Sequence, residues 1–258
     1  MADSQLIIDH LSKSYATRTG SVQVIADLTF DVKAGEVVSI VGPSGIGKTT
    51  LLKCPTGLQP MTSGSAKING REIEGPPPEM ALVFQEYTRS LMPWLNVEKN
   101  VRLPLRHMHL PKDEAEQRIH SALDSVGMHN ASEKYPWQLS GGMQQRVAIA
   151  RALAFRPDVL IMDEPFASVD AQTRFELEDL CLQIRDSLGM TIVIVTHDID
   201  EAVYLSNRVV VLGQKPAIVT SILDIDLPVP RDQITTRSRA DFAQTRTSIL
   251  ELIKNGKQ

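Results

Sequence analysis

Two rhythms of apolar residues run along the chain. Val37–Val41, Val159–Met162 and Thr191–Val195 are apolar at almost every position and too short for buried helices. Each predicts a strand covered on both faces, as in the middle of a parallel sheet. Leu28-Thr29-Phe30-Asp31-Val32 alternates apolar with polar instead, which predicts an antiparallel strand with one wet face, part of a small β layer near the N-terminus. With the neighbouring β-rich runs, the predicted strands are Leu6–Asp9, Val22–Val32, Glu36–Val41, Ala66–Ile68, Ala81–Phe84, Val159–Met162, Thr191–Thr196, Arg208–Leu212 and Ala217–Leu223. Their alternation with helical patterns is the order expected of an α/β protein.

From about Glu86 to Phe155 the strand signal vanishes. Pro93, Pro104 and Pro111 break up the first part. Asp113–Val126 then reads as an amphipathic helix with acidic residues in its first turn, and Met143–Phe155 as a second helix after Gly141-Gly142. The chain therefore divides into a first half of the sheet (1–85), a helical insertion (86–155), a second half (156–227) and a C-terminal tail (228–258) with a helix around Ala243–Lys254. Pro55 falls inside the helical run Lys48–Leu58 and offers no N–H to the carbonyl of Leu51, so that helix is predicted to kink or end near Cys54.

Composition narrows the class. Hydrophobic residues at 42% and charged residues at 22% are ordinary globular usage, which excludes a disordered or fibrous chain. No run approaches the roughly 18–20 apolar residues of a membrane-spanning helix. Met1-Ala2-Asp3-Ser4-Gln5 has neither the basic start nor the apolar stretch of a secretion signal. Cys54 and Cys181 lie too far apart in sequence for a CxxC motif, and two cysteines make no disulfide scaffold, which suits a reducing compartment. A net charge of −4 and 5% aromatic residues argue against nucleic acid as a partner. His107-Met108-His109 has no carboxylate or cysteine at ligand spacing and is not read as a metal site.

Gly42-Pro43-Ser44-Gly45-Ile46-Gly47-Lys48-Thr49 fits G-x-x-x-x-G-K-[ST] directly after a predicted strand and directly before a helical run, with Thr50 next in the helix. Glycines there let backbone N–H groups turn inward around phosphates, and the helix N-terminus adds positive field. Lys48 neutralises the β- and γ-phosphates, and the Thr49 hydroxyl ligates Mg²⁺. The loop predicts binding of a nucleoside triphosphate. A second acidic strand, Val159-Leu160-Ile161-Met162-Asp163-Glu164, carries two carboxylates to the edge of the sheet where ligands bind in open α/β folds. There Asp163 is suited to hold Mg²⁺ and Glu164 to take a proton from attacking water.

Leu139-Ser140-Gly141-Gly142-Met143-Gln144 adds a second backbone cradle, with Ser140 as N-cap and two glycines opening a helix. One nucleotide needs one phosphate loop, so this second cradle makes sense if it closes over the nucleotide of a partner subunit. LSGGMQ resembles the signature of ABC-type ATPases, and the rest of the chain then matches that family in order. Tyr15 resembles the aromatic that stacks on adenine, and Gln85 the Q-loop glutamine, which also reaches the metal. Ser168-Val169-Asp170 resembles the D-loop, and His197 the switch histidine that senses the γ-phosphate. Cys54-Pro55-Thr56 and Val169 depart from the usual apolar residues and Leu at their positions, and neither departure touches a phosphate contact.

The resemblance implies an ABC ATPase core of P-loop NTPase type, with an N-terminal antiparallel β layer and a helical insertion. It also implies ATP and Mg²⁺ as ligands, and a head-to-tail dimer, expected to be a homodimer. Leu91-Met92-Pro93-Trp94-Leu95-Asn96-Val97 and the run Tyr135–Arg146 look most like the ATP-binding subunits of nitrate, sulfonate and taurine importers. That likeness implies membrane permease partners met near Trp94, an external solute-binding protein, and a place on the cytoplasmic face of the membrane. A soluble, non-transport ABC ATPase is the alternative, but the span from Gln85 to Ser140 is too short for a long coiled-coil insertion. A P-loop kinase or GTPase switch would explain Gly42–Thr49 and leave LSGGMQ and His197 without a role.

Overall fold

The computed structural model describes residues 4–18, 20–85 and 90–256, so both chain ends and the expected start of the helical insertion at 86 lie outside the described residues. Ten strands form one sheet: β1 (Ser4–Thr17), β2 (Gly20–Lys33), β3 (Val37–Val41), β4 (Ser63–Ile68), β5 (Arg71–Glu72), β6 (Met80–Val83), β7 (Val159–Asp163), β8 (Thr191–Val195), β9 (Arg208–Gly213) and β10 (Ala217–Asp224). Their spatial order is β5-β4-β1-β2-β10-β9-β3-β8-β7-β6. The run from β9 through β3, β8 and β7 to β6 is parallel. β3, β7 and β8 are buried at every position, as their nearly continuous apolar runs predict.

The antiparallel layer expected near the N-terminus is present in β1, β2, β4 and β5. It is also hydrogen-bonded into the same sheet, because β10 pairs with β2 on one side and β9 on the other. β1 runs well beyond the sequence reading, because its outer half pairs with β2 through residues such as Lys13 and Ser14 that carry little apolar signal, whereas β2 exceeds its reading by only two residues at its start and one at its end. The sheet curls. One core brings Leu6, Ile8 and Leu28 of the antiparallel strands together with Val38, Ile40 and Val193 of the parallel ones, around Leu51 and Leu52. Val37, Val41, Ile192 and Ile194 point to the opposite core, as the two-residue period of a strand requires.

Helices cover both cores, the first of them giving Leu51 and Leu52 to the first core and the later ones filling the second. They are α1 (Lys48–Lys53), α2 (Val97–Arg102), α3 (Lys112–Ser125), α4 (Gly141–Ala154), α5 (Ala171–Leu188), α6 (Ile199–Leu205) and α7 (Ala240–Asn255). α1 stops at Lys53 with Cys54 as its C-cap, the early end that Pro55 predicts, and the Gln59 N–H caps the Lys53 carbonyl at 2.9 Å. α3 and α4 lie where the periodicity puts them, within two residues at each end. α2, α5 and α6 go beyond the sequence reading. In α5 the buried face includes the carboxyl of Glu178 beside Leu177 and Cys181, which blurs the apolar stripe although Asp170 and Gly189 cap it clearly. Among the described residues no helix is long and apolar enough to cross a membrane.

Candidate functional site

The C-terminal ends of the parallel strands meet at one edge of the sheet. β3 leads into the glycine loop, where the Ile46 N–H donates to the Pro43 carbonyl at 3.3 Å, and α1 begins with the Leu51 N–H on the Gly47 carbonyl at 2.8 Å. Gly47 has φ 113°, a conformation that side chains rarely adopt, and a β-carbon there would lie 2.8 Å from Val24. Ile46 turns its side chain into the core, so only its backbone belongs to the loop. Lys48 is 6% exposed; its ammonium donates to the carbonyls of Gly42 at 2.9 Å and Pro43 at 3.3 Å. Burial pushes this ammonium below its ordinary pKa, against the opposing pull of the Glu164 and Asp163 carboxylates.

A cleft of about 460 Å³ lies over this loop. Ser44, Gly45, Gly47, Lys48, Thr49 and Thr50 line it together with Gln85 and Glu164. Val24 also lines it; its place in an alternating strand carried no sign of this in the sequence.

Asp163, the last residue of β7, is buried, and burial raises its pKa while the Thr49 hydroxyl opposes the rise. Its Oδ1 is buried without a hydrogen-bond partner. An unsatisfied buried carboxylate oxygen on a side chain that meets the Thr49 hydroxyl is an oxygen donor set, which suits a hard divalent cation. The residues present therefore fit Mg²⁺.

Glu164 sits at φ 44°, in the left-handed region that non-glycine residues seldom occupy, and its N–H donates to the Val195 carbonyl at 2.7 Å. Such strain is held by surrounding structure and collects at functional sites. Here it aims Glu164 Oε2 at two neighbours. Gln85 Nε2 donates to it at 3.1 Å, and His197 Nδ1 lies 3.1 Å away. Gln85 and His197, just beyond the ends of β6 and β8, thus converge on one carboxylate oxygen of Glu164, just beyond β7 and beside Lys48.

The other expected residues lie elsewhere. Ser140 caps α4 by accepting from the Met143 N–H at 3.3 Å, and neither it nor Gly141 or Gly142 lines the cleft. Asp170 caps α5, accepting from the Thr173 N–H at 3.0 Å and from the Thr173 hydroxyl at 2.6 Å. These hydrogen bonds hold its carboxyl below the usual carboxylate range. Tyr15 is outside the cleft lining; its hydroxyl donates to Gln59 Oε1 at 2.6 Å beside Thr50. One chain thus carries a complete phosphate loop and, apart from it, a second anion-suited helix start. Thr196, Arg174 and Glu201, which pack behind His197, have no motif to mark them in the sequence.

Known proteins resemble this chain along most of its length. The ABC transporter family profile matches residues 25–167. The chain is 42% identical to the nitrate transport protein NasD of Klebsiella oxytoca over 95% of both chains. It is 39% identical to the aliphatic sulfonates import ATP-binding protein SsuB of Bacillus thuringiensis over 96% of both. Among solved structures, a dimeric ATP-binding cassette in a post-hydrolysis state with ADP and Pi superposes with a TM-score of 0.73 at 30% identity, covering 85% of this chain and 98% of that one. The chain belongs to the ABC transporter family, as one of its ATP-binding, ATP-hydrolysing members.

Proposed function

We propose that this chain is the ATP-hydrolysing subunit of an importer for a small anionic solute, such as nitrate or a sulfonate. The observation that carries the reading is the convergence of Gln85, Glu164 and His197 beside Lys48, with the Ser140–Gly142 cradle outside the same cleft. A nucleotide bound at Gly42–Thr50 lacks a second wall until another copy presents its Ser140, Gly141 and Gly142. A head-to-tail pair with twofold symmetry supplies two such walls at once. The Asp170 turn lies at that junction, and Tyr15, fixed through its hydroxyl, supports the adenine.

Catalysis in such a sandwich is positioning and charge neutralisation. Backbone N–H groups of Gly42–Thr49 and the Lys48 ammonium hold the phosphates. Thr49, Gln85 and Asp163 would hold Mg²⁺, which when bound neutralises phosphate charge. Glu164 accepts a proton from water, and Gln85 and His197, which share its Oε2, keep it aimed. His197 then faces the phosphate that leaves.

Residues 86–155 form the helical unit that moves with the permease, and 1–85 and 156–227 the nucleotide-binding core. Support for docking comes from the loop after Gln85. Buried Asn100 ties the carbonyls of Met92 and Leu95 at 3.1 and 3.0 Å, and this fixes a loop on which Trp94 is 69% exposed. A groove of about 420 Å³ also runs between Leu82, Leu103, Pro104 and Phe155, with Arg151 in its wall. Membrane subunits seated there place the chain on the cytoplasmic face of the membrane, with a solute-binding protein acting from the other side. Glu164→Gln tests the hydrolytic assignment: ATP binding should persist while turnover falls roughly 10²–10⁴-fold. Unchanged hydrolysis would remove Glu164 as the base.

A further inference from the structure

His197 stands on a short turn, Thr196–Asp198, whose fixing points lie away from the nucleotide cleft. The Thr196 hydroxyl donates to Glu201 Oε2 at 2.7 Å and accepts from the Asp198 N–H at 3.0 Å. Asp198 Oδ1 accepts from the N–H groups of Asp200 and Glu201 at 2.9 and 3.2 Å, and its Oδ2 takes Arg174 Nη1 at 3.1 Å. Arg174 Nε faces Glu201 Oε1 at 3.6 Å. Arg174 stands one turn into α5, its N–H on the Asp170 carbonyl at 2.9 Å. Glu164, His197, Arg174 and Glu201 together wall a cavity of about 40 Å³.

We propose that Glu201 is a positioning residue for ATP hydrolysis: its carboxylate ties the turn carrying His197 to Arg174, and so to the helix that begins at Asp170. Resting on the hydrolytic role given to His197 above, this goes beyond it by naming what holds the imidazole against Glu164.

The tie depends on charge. Burial pushes the Glu201 carboxyl up to about 7, the carboxylates of Asp198 and Glu178 add to the rise, and the Thr196 hydroxyl and Arg174 oppose it. Cys181 of α5 also feels its charge, and Arg246 of α7 faces Asp200 at 3.6 Å instead. Below about pH 7 the carboxyl is protonated and its attraction for Arg174 is gone. Hydrolysis should therefore rise with pH through that value. Stability runs the other way. The folded pKa lies above that of an unfolded glutamate, so the contribution of Glu201 to stability is fully present below the unfolded value and is lost as pH rises through about 7.

The experiment measures kcat and KM for ATP hydrolysis with saturating Mg²⁺ from pH 6 to 9, beside melting temperature, for the wild type, E201Q, T196V, T196S and H197A. Glutamine keeps the acceptor for Thr196 and never ionises. We expect E201Q to lose the pH limb, to fall about tenfold below wild-type kcat at pH 8 with KM for ATP unchanged, and to melt higher than wild type at that pH. T196V should also lose about tenfold in kcat, and T196S should recover it. A purely structural Glu201 would give a lower melting temperature and an unchanged pH profile, which overturns the proposal. Wild-type kcat at pH 8 in E201Q or T196V also overturns it when H197A is inactive. Wild-type hydrolysis by H197A would instead overturn the role of His197 itself.

Discussion

Gly142 and Thr173 are packed so closely that a β-carbon on Gly142 would lie 2.2 Å from the Thr173 methyl group. The start of α4, with its Ser140 cap, is therefore held against the first turn of α5, where Thr173 also bonds Asp170. The two loops assigned to the far wall of the nucleotide site are one packed unit.

Gly142→Ala must push α4 off Thr173, an overpacking that costs about 1–3 kcal/mol. The expected result is loss of hydrolysis with nucleotide binding by the single chain retained, because the cleft lining does not include Gly142. Thr173→Ser deletes the clashing methyl and keeps the hydroxyl on Asp170. The double variant should regain most of the activity in a steady-state ATPase assay, and a double variant as inactive as Gly142→Ala would contradict the packing argument.

Lys48 offers a test with opposite signs for stability and binding. Its pKa is depressed by burial, so the folded chain holds the charged form less well than the unfolded chain does. Its charge is thus a cost at neutral pH that disappears only at high pH, where the unfolded lysine is neutral too. Lys48→Met should raise the melting temperature of the nucleotide-free protein. ATP should raise the melting temperature of the wild type, by mass action, and leave that of Lys48→Met unmoved. Thermal scans with and without ATP read both effects.

Arg237 anchors the C-terminal segment. Its guanidinium lies 5.0, 4.9 and 5.9 Å from the rings of Phe175, Tyr204 and Phe242, and 2.6 Å from Glu178, whose side chain is 0% exposed. Burial raises the Glu178 carboxyl, with Arg237 opposing. Arg237→Ala leaves a buried carboxylate uncompensated and should cost about 3–5 kcal/mol in urea unfolding at neutral pH. Without the arginine the Glu178 pKa rises further, so the deficit should shrink as the pH is lowered. A deficit independent of pH would mean that lost ring packing, and not the charge, dominates.

Much of the fold and part of the site are legible along the chain, because they rest on short-range preferences. Runs without an alternating polar face predict β3, β7 and β8, and the ring of Pro55 predicts a kink or end near Cys54, where α1 stops at Lys53. Glycine spacing after an apolar strand predicts the phosphate loop, since the backbone turn it needs is written in consecutive residues. α5 escapes the same reading because Glu178 faces inward, where Arg237 and Gln233, far along the chain, make it tolerable.

What the sequence determined by itself is therefore local: which segments are strands, where the phosphate loop turns, and which residue types stand at the strand ends. Tertiary structure decided the rest. Gln85 and His197 are far apart in sequence and meet at Glu164 Oε2 only because β6, β7 and β8 are neighbours in register. Ser140 could equally have faced its own phosphate loop, and the packing of Gly142 on Thr173 puts it elsewhere. Backbone preferences act over a few residues, whereas a shared oxygen or a methyl contact depends on how distant segments pack.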